Sequence, residues 1–230
     1  MTAPTELLDW WERGEQHLGT ALGRVTDEEF GAASLLPGWS RAHLLAHVAR
    51  NADALVNLLG WARTGVERPM YASPEARDQL IALTAARAPA ELRNDVLSAT
   101  RRLAGAVREM PEPAWSVEVR TAQGHTVPAA AVPWMRCREV WVHAVDLDAG
   151  VDFTDVPDDV LAALGDDVFR MWDARDQMPD VTVFAGDREW GSGALAVAGP
   201  LPVVIAWLTG RSTGEGLRAD GPLPALEVWL

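Results

Sequence analysis

Ser40-Arg41-Ala42-His43-Leu44-Leu45-Ala46-His47-Val48-Ala49-Arg50-Asn51-Ala52 is the stretch whose reading decides the fold of this chain. Pro37-Gly38 breaks the backbone just before it, and Ser40 is suited to accept hydrogen bonds from the unpaired amides of a helix start. Leu44, Leu45, Val48 and Leu55 follow at helical spacing, so the segment reads as a helix reaching about Trp61 with a buried face. Two imidazoles, His43 and His47, stand one turn apart on that helix. His43 falls in the first turn and suits a capping or hydrogen-bonding role. His47 lies deeper among the apolar residues, where an unpaired polar group is costly. It needs a hydrogen-bond partner or a metal ion.

A second helical stretch, Arg138-Glu139-Val140-Trp141-Val142-His143, offers such partners. Glu139 and His143 are four residues apart and project about 40° from one another at roughly 100° per residue. Asp146, three residues further, lies near the same stripe, and spacing leaves its contribution open. Cys137 points to the other side and reads as a small buried apolar residue. Taken alone, a Glu-x-x-x-His pair is as readily a hydrogen-bonded pair on a surface or in a core as a ligand pair. Joined to His47 inside a helical bundle, it makes a three-ligand set suited to zinc, with room left for water or a thiol. His17 receives no role, and His125, after Gly124, reads as part of a solvated turn or a pocket wall.

Outward from these stretches, the first two-thirds of the chain is helical in pattern. Residues from about Thr5 to Val25 form an amphipathic helix through Leu7, Trp11, Leu18 and Leu22, and Thr26 caps a short turn. Ser73-Pro74 and Pro89 open two further helices. Trp115 to Val127 reads as a hairpin or ordered loop around Gln123-Gly124, and Pro128 or Pro133 opens the helix that carries Glu139. The pattern changes near residue 150. Asp155 to Asp159 starts a helix to about Ala174, short β-like runs follow at Val181 to Phe184, Ala194 to Ala198 and Leu226 to Leu230, and an apolar helix spans Pro202 to Thr209. The expected architecture is mostly α: a helical bundle over residues 1–150 and a small α/β domain over 151–230.

The 230 residues are 48% hydrophobic, enough for a sizeable core. A formal charge of −13 opposes a nucleic-acid partner. The apolar runs are too short for a membrane span, and the first residues carry no secretory pattern. With a single cysteine, Cys137, there is no internal disulfide framework, and a cytoplasmic location is expected. Every basic residue is arginine, which excludes lysine Schiff-base chemistry and leaves arginine to hold any anionic substrate. No exposed apolar seam points to self-association, so a monomer is expected.

Four segments resemble the mycothiol-dependent maleylpyruvate isomerases: Leu36 to Ala52, which contains Pro-Gly-Trp-Ser-Arg-Ala-His; Pro69-Met70-Tyr71-Ala72-Ser73-Pro74-Glu75-Ala76-Arg77; Thr121-Ala122-Gln123-Gly124-His125-Thr126-Val127-Pro128; and Trp134 to Leu147. The resemblance implies a DinB-like metal-binding four-helix bundle at the N-terminus. It implies zinc held by His47, Glu139 and His143, with His43 outside the ligand set. It also implies an activity-critical arginine in the C-terminal domain, carried by the segment Ala206-Trp207-Leu208-Thr209-Gly210-Arg211-Ser212 to Arg211. Without the resemblance, Arg211 reads as a contact at a helix C-terminus. Relatives depart from this chain at His125 and around Val132-Pro133, and the tail is more divergent.

The implied reaction converts maleylpyruvate to fumarylpyruvate, in gentisate-type aromatic breakdown, by reversible addition of mycothiol thiolate to the alkene. Cys137 is badly placed to supply that thiol. Two other functions share the scaffold: a mycothiol S-transferase acting on another electrophile, and a non-catalytic metal-binding protein.

Overall fold

The computed structural model describes residues 5–227 and 229, and divides into two compact units, Met1–Gly150 and Val151–Leu230. The first unit is built from α1 (Thr5–Arg24), α2 (Arg41–Thr64), α3 (Pro74–Ala85), α4 (Pro89–Arg108) and α5 (Val132–Asp146), with a small hairpin of β1 (Glu118–Arg120) and β2 (Thr126–Pro128). The caps follow the sequence. The Ser40 hydroxyl accepts from the His43 amide, the Ser73 hydroxyl accepts from Ala76, and Pro74 and Pro89 sit in first turns. After α1, the Thr26 amide donates to the Glu29 carboxylate and starts a 3-10 turn over Asp27–Gly31.

Helix α2 is central: it packs on α3, α4 and α5, while α1 packs on α5. Leu44, Leu45, Val48, Leu55 and Leu58 are each 0% exposed, which accounts for a helix apolar on almost every side. Gly14 lies inside α1, where glycine ordinarily costs about 1 kcal/mol of helix stability. A β-carbon there would stand 2.5 Å from Val140 and 2.8 Å from the Trp141 indole nitrogen, so glycine is what lets α1 approach α5.

The second unit comprises α6 (Asp158–Ala174), β3 (Val181–Ala185), β4 (Arg188–Gly191), β5 (Leu195–Ala198), α7 (Leu201–Leu208) and β6 (Arg218–Ala219). The sheet order is β4-β3-β5-β6, with β3 parallel to β5 and both outer pairs antiparallel. Val160, Leu161, Val181, Val183, Val197 and Ile205 form its buried centre. Two strands went unread in the sequence. β4 is a polar edge strand in which only Trp190 is buried, and β6 is two residues long. Neither carries the apolar alternation that marks a half-buried strand.

The run expected as a strand from Leu226 to Leu230 is corrected. Leu226, Glu227 and Trp229 are not in strand, and Val228 and Leu230 lie outside the described residues. Of the described residues of this run, Trp229 is buried, and it and Glu227 bond to α6 instead. Trp229 is 2% exposed and its indole donates to the buried Asp167 carboxylate, while the Trp172 indole donates to the Glu227 carbonyl.

Candidate metal centre

His47 comes from α2, and Glu139 and His143 come from α5. One buried side chain sets these helices in register. Arg136, 0% exposed and one turn before Glu139, donates to the carbonyl of Val48, the residue after His47, at 2.8 Å. It also donates to Asn51 of α2 at 3.2 Å, to Thr100 of α4 at 3.4 Å and to Glu15 of α1 at 2.7 Å. Helices α1, α2, α4 and α5 therefore meet on one guanidinium, close to the candidate site. The indole of Trp11 and the hydroxyl of Thr100 satisfy the remaining capacity of Glu15.

In front of this anchor, His47 Nε2 lies 2.9 Å from Glu139 Oε2, and His143 Nε2 lies 3.2 Å from the same oxygen. The two imidazoles stand nearly perpendicular, 87°, with ring centres 5.0 Å apart. One ligand atom from each residue falls within 4.8 Å of the others, so a single cation can meet all three. Asp146 is fully buried, and its carboxylate accepts from His143 Nδ1 at 2.8 Å, which directs Nε2 into the cluster. A carboxylate behind a ligating histidine is the usual way such a ring is oriented and made more basic. The indole of Trp39 stands edge-on to His47, 5.5 Å between centres, and walls that side. The donor set suits zinc: two imidazoles, one carboxylate, and a position left for an exogenous ligand.

The charges within the cluster are unequal. Burial would push the Glu139 carboxyl up, but hydrogen bonds from His143 and His47 outweigh it and hold Glu139 well below the usual range. Burial pushes His47 down, against the pull of Glu139. Burial also works against a charged His143, yet hydrogen bonds to Asp146 and Glu139 overcome it and raise this ring to about 9. Without metal, one proton therefore rests on His143 between two carboxylates.

The other sequence candidates fall elsewhere. The His43 ring nitrogen Nδ1 lies 2.8 Å from the Ser40 hydroxyl, so His43 belongs to the helix start. The His17 ring lies against Trp141, tilted by 31° with 4.9 Å between centres. The His125 amide donates to the Thr121 side chain in the exposed hairpin turn. Cys137 is 0% exposed. Arg211 lies in the second unit, where it donates to the Thr209 carbonyl at 2.6 Å, a contact at the C-terminal end of α7. The sequence leaves Asp146 open and assigns Arg136, Tyr71 and Arg77 no role. The position of Asp146 one turn after His143 was the available signal for it.

A family model described as the mycothiol maleylpyruvate isomerase N-terminal domain matches residues 11–148, more than half of the chain and the whole of the cluster. The chain belongs to this family. Among solved structures it is similar to the mycothiol-dependent maleylpyruvate isomerase, with 40% identity over 98% of this chain and 96% of that one and a TM-score of 0.92. A histidine-to-alanine mutant of that isomerase matches with the same identity, coverage and TM-score. Among curated proteins none matches. No helix among the described residues is long and apolar enough to cross a membrane.

For this family member the raised His143 has a measurable consequence. A ligand imidazole must be neutral, so metal uptake at pH 7 expels the proton that His143 holds up to about 9. Metal affinity should therefore weaken as pH falls, by about tenfold per unit below that value, and level off above it. Titrating zinc into metal-free protein in two buffers of different ionisation enthalpy should reveal about one proton released per ion at pH 7. Zinc affinity unchanged between pH 6 and 8 would contradict this charge distribution.

Proposed function

We propose that this chain is a zinc- and mycothiol-dependent cis-trans isomerase that converts maleylpyruvate to fumarylpyruvate. The observation that carries this reading is the convergence of His47, Glu139 and His143 on one point in a chain 40% identical to a mycothiol-dependent maleylpyruvate isomerase. When bound, zinc and the thiol supply a deprotonated sulfur nucleophile, whose reversible addition to the alkene turns the double bond into a rotatable single bond.

The residues of the chain hold and shape that chemistry. His47 and His143 offer neutral nitrogens, and Glu139 offsets one positive charge. Asp146 keeps the proton of neutral His143 on Nδ1, leaving Nε2 as the lone-pair donor. Trp39 and the helix interior keep bulk water from His47. We carry to Arg211 the binding of a substrate carboxylate, on the likeness of its sequence segment and the fixed charge of a guanidinium. A reduced thiol cofactor requires a reducing compartment, which favours the cytoplasm. Gentisate-type aromatic breakdown is the metabolic setting proposed.

The test follows maleylpyruvate by ultraviolet absorbance with zinc-loaded protein, with and without mycothiol. Turnover should require the thiol. Arg211→Ala should keep its zinc and lose turnover by about a hundredfold or more, the scale of one charge-assisted contact to a reacting anion. Normal kinetics in that variant would return Arg211 to its contact with Thr209. Thiol binding without isomerisation, but with conjugation of another electrophile, would make the chain an S-transferase. Zinc binding with no thiol affinity would make it a non-catalytic metal-binding protein.

A further inference from the structure

Behind His47 stands a cation where a metal-ligating histidine needs an acceptor. Nη2 of Arg77, from α3, lies 3.3 Å from His47 Nδ1. A guanidinium only donates, so in this arrangement Nδ1 accepts and the ring proton sits on Nε2, facing Glu139. A metal held through His47 Nε2 would require the other tautomer, with the ring proton on Nδ1, and two donors would then face each other. His143 has Asp146 in this position, whereas among the described residues Arg77 is the group that reaches His47 Nδ1. An anion that takes the place of the direct Arg77–His47 contact resolves the conflict, because once the guanidinium swings off Nδ1 each carboxylate oxygen can accept from one of them.

The surroundings favour such an anion. Arg77 pairs with Asp78, whose side chain is 70% exposed, so this surface pair holds the guanidinium only weakly. Its guanidinium carbon lies 5.9 Å from the centre of the Tyr71 ring. Arg77 and Tyr71 line a cavity of about 540 Å³, together with Trp61, Met70, Ser73 and Arg120. That volume accommodates a small organic acid. Burial, then the charge of Glu139, pushes the Tyr71 phenol up to about 12, so its hydroxyl remains a donor. Two arginines in the wall offset the field of a chain whose formal charge is −13.

We propose that Arg77 and His47 form a carboxylate subsite at the metal centre, in which one carboxylate of a small dicarboxylate substrate bridges the Arg77 guanidinium and His47 Nδ1–H. The proposal rests on the isomerase reading for the identity of the acid. It makes Arg77 a substrate-binding and specificity-determining residue.

The experiment measures binding to zinc-loaded protein by calorimetry, with maleate as the probe acid and mycothiol in a separate arm. Arg77→Gln should weaken maleate by about tenfold to a hundredfold, the loss of a charge-assisted pair, while zinc content and mycothiol affinity stay at the parent level. Arg77→Lys, which keeps the charge without the fork, should fall between. Maleate should also tighten zinc in the parent protein, as reciprocal coupling requires, and not in Arg77→Gln. Circular dichroism confirms that each variant is folded. The proposal is overturned if the parent does not bind maleate, if Arg77→Gln binds it normally, if the loss falls on mycothiol, or if Arg120→Gln carries it instead. Should the parent fail to isomerise maleylpyruvate yet bind maleate through Arg77, the isomerase reading fails and the subsite stands. Isomerisation with normal maleate binding by Arg77→Gln sinks the subsite alone.

Discussion

His47→Ala protein is expected to keep its helical circular dichroism, to lose zinc affinity by on the order of a hundredfold or more, and to lose isomerase activity with it. The magnitude follows from the share of one ligand in a three-ligand site. The fold should survive because His47 is held by Glu139, Arg77 and the edge of Trp39, and Glu139 keeps His143 as a partner when His47 is gone. His143→Ala should lose metal to a similar degree but be less stable. It deprives the fully buried Asp146 of its 2.8 Å hydrogen bond, a loss of about 1–3 kcal/mol. Metal analysis and thermal melting of the two variants side by side separate ligand loss from structural damage. Full turnover by metal-free His47→Ala protein would remove the metal from the proposed reaction altogether.

The largest effect on stability should come from Arg136. Arg136→Met deletes the partner of a buried carboxylate, along with bonds to Val48, Asn51 and Thr100. Burial works against an ionised Glu15, and the charge and hydrogen bonds of Arg136 are what keep it ionised and below its ordinary range. Breaking one side of such a pair typically costs about 3–5 kcal/mol, or roughly 6–20 °C of melting temperature for a domain of this size. Removing both charges, with Glu15→Gln added to Arg136→Met, should recover part of the loss, because no unpaired carboxylate then remains. Zinc affinity should fall with Arg136→Met as well, since the Val48 carbonyl adjoins His47. A melting temperature within about 2 °C of the parent would mean that water takes over the anchoring of Glu15.

The helices were legible because their signals are local. Ser40, Ser73, Pro74 and Pro89 stand at helix starts where side-chain acceptors or a missing amide cost nothing, and the apolar spacing of α2 marks a buried helix whatever surrounds it. β4 was illegible because an edge strand with one buried residue has no apolar alternation, and its pairing with β3 is a property of the sheet. Leu226 to Trp229 carries enough apolar residues to read as a strand, yet Trp229 spends its indole on Asp167 rather than extending the sheet.

For the candidate centre, the residues alone determined that an imidazole sits in an apolar helix face and that an acid and a second imidazole share another face one turn apart. Those are consequences of helical geometry, which sets residues three or four apart on one face. That the faces meet and that Arg136 clamps α2 to α5 were decided by tertiary packing, through bonds between groups 92 and 88 positions apart whose geometry depends on helix rotation and register. Arg77 is the clearest case. Nothing local separates it from the other arginines, and only the folded bundle sets its guanidinium against His47.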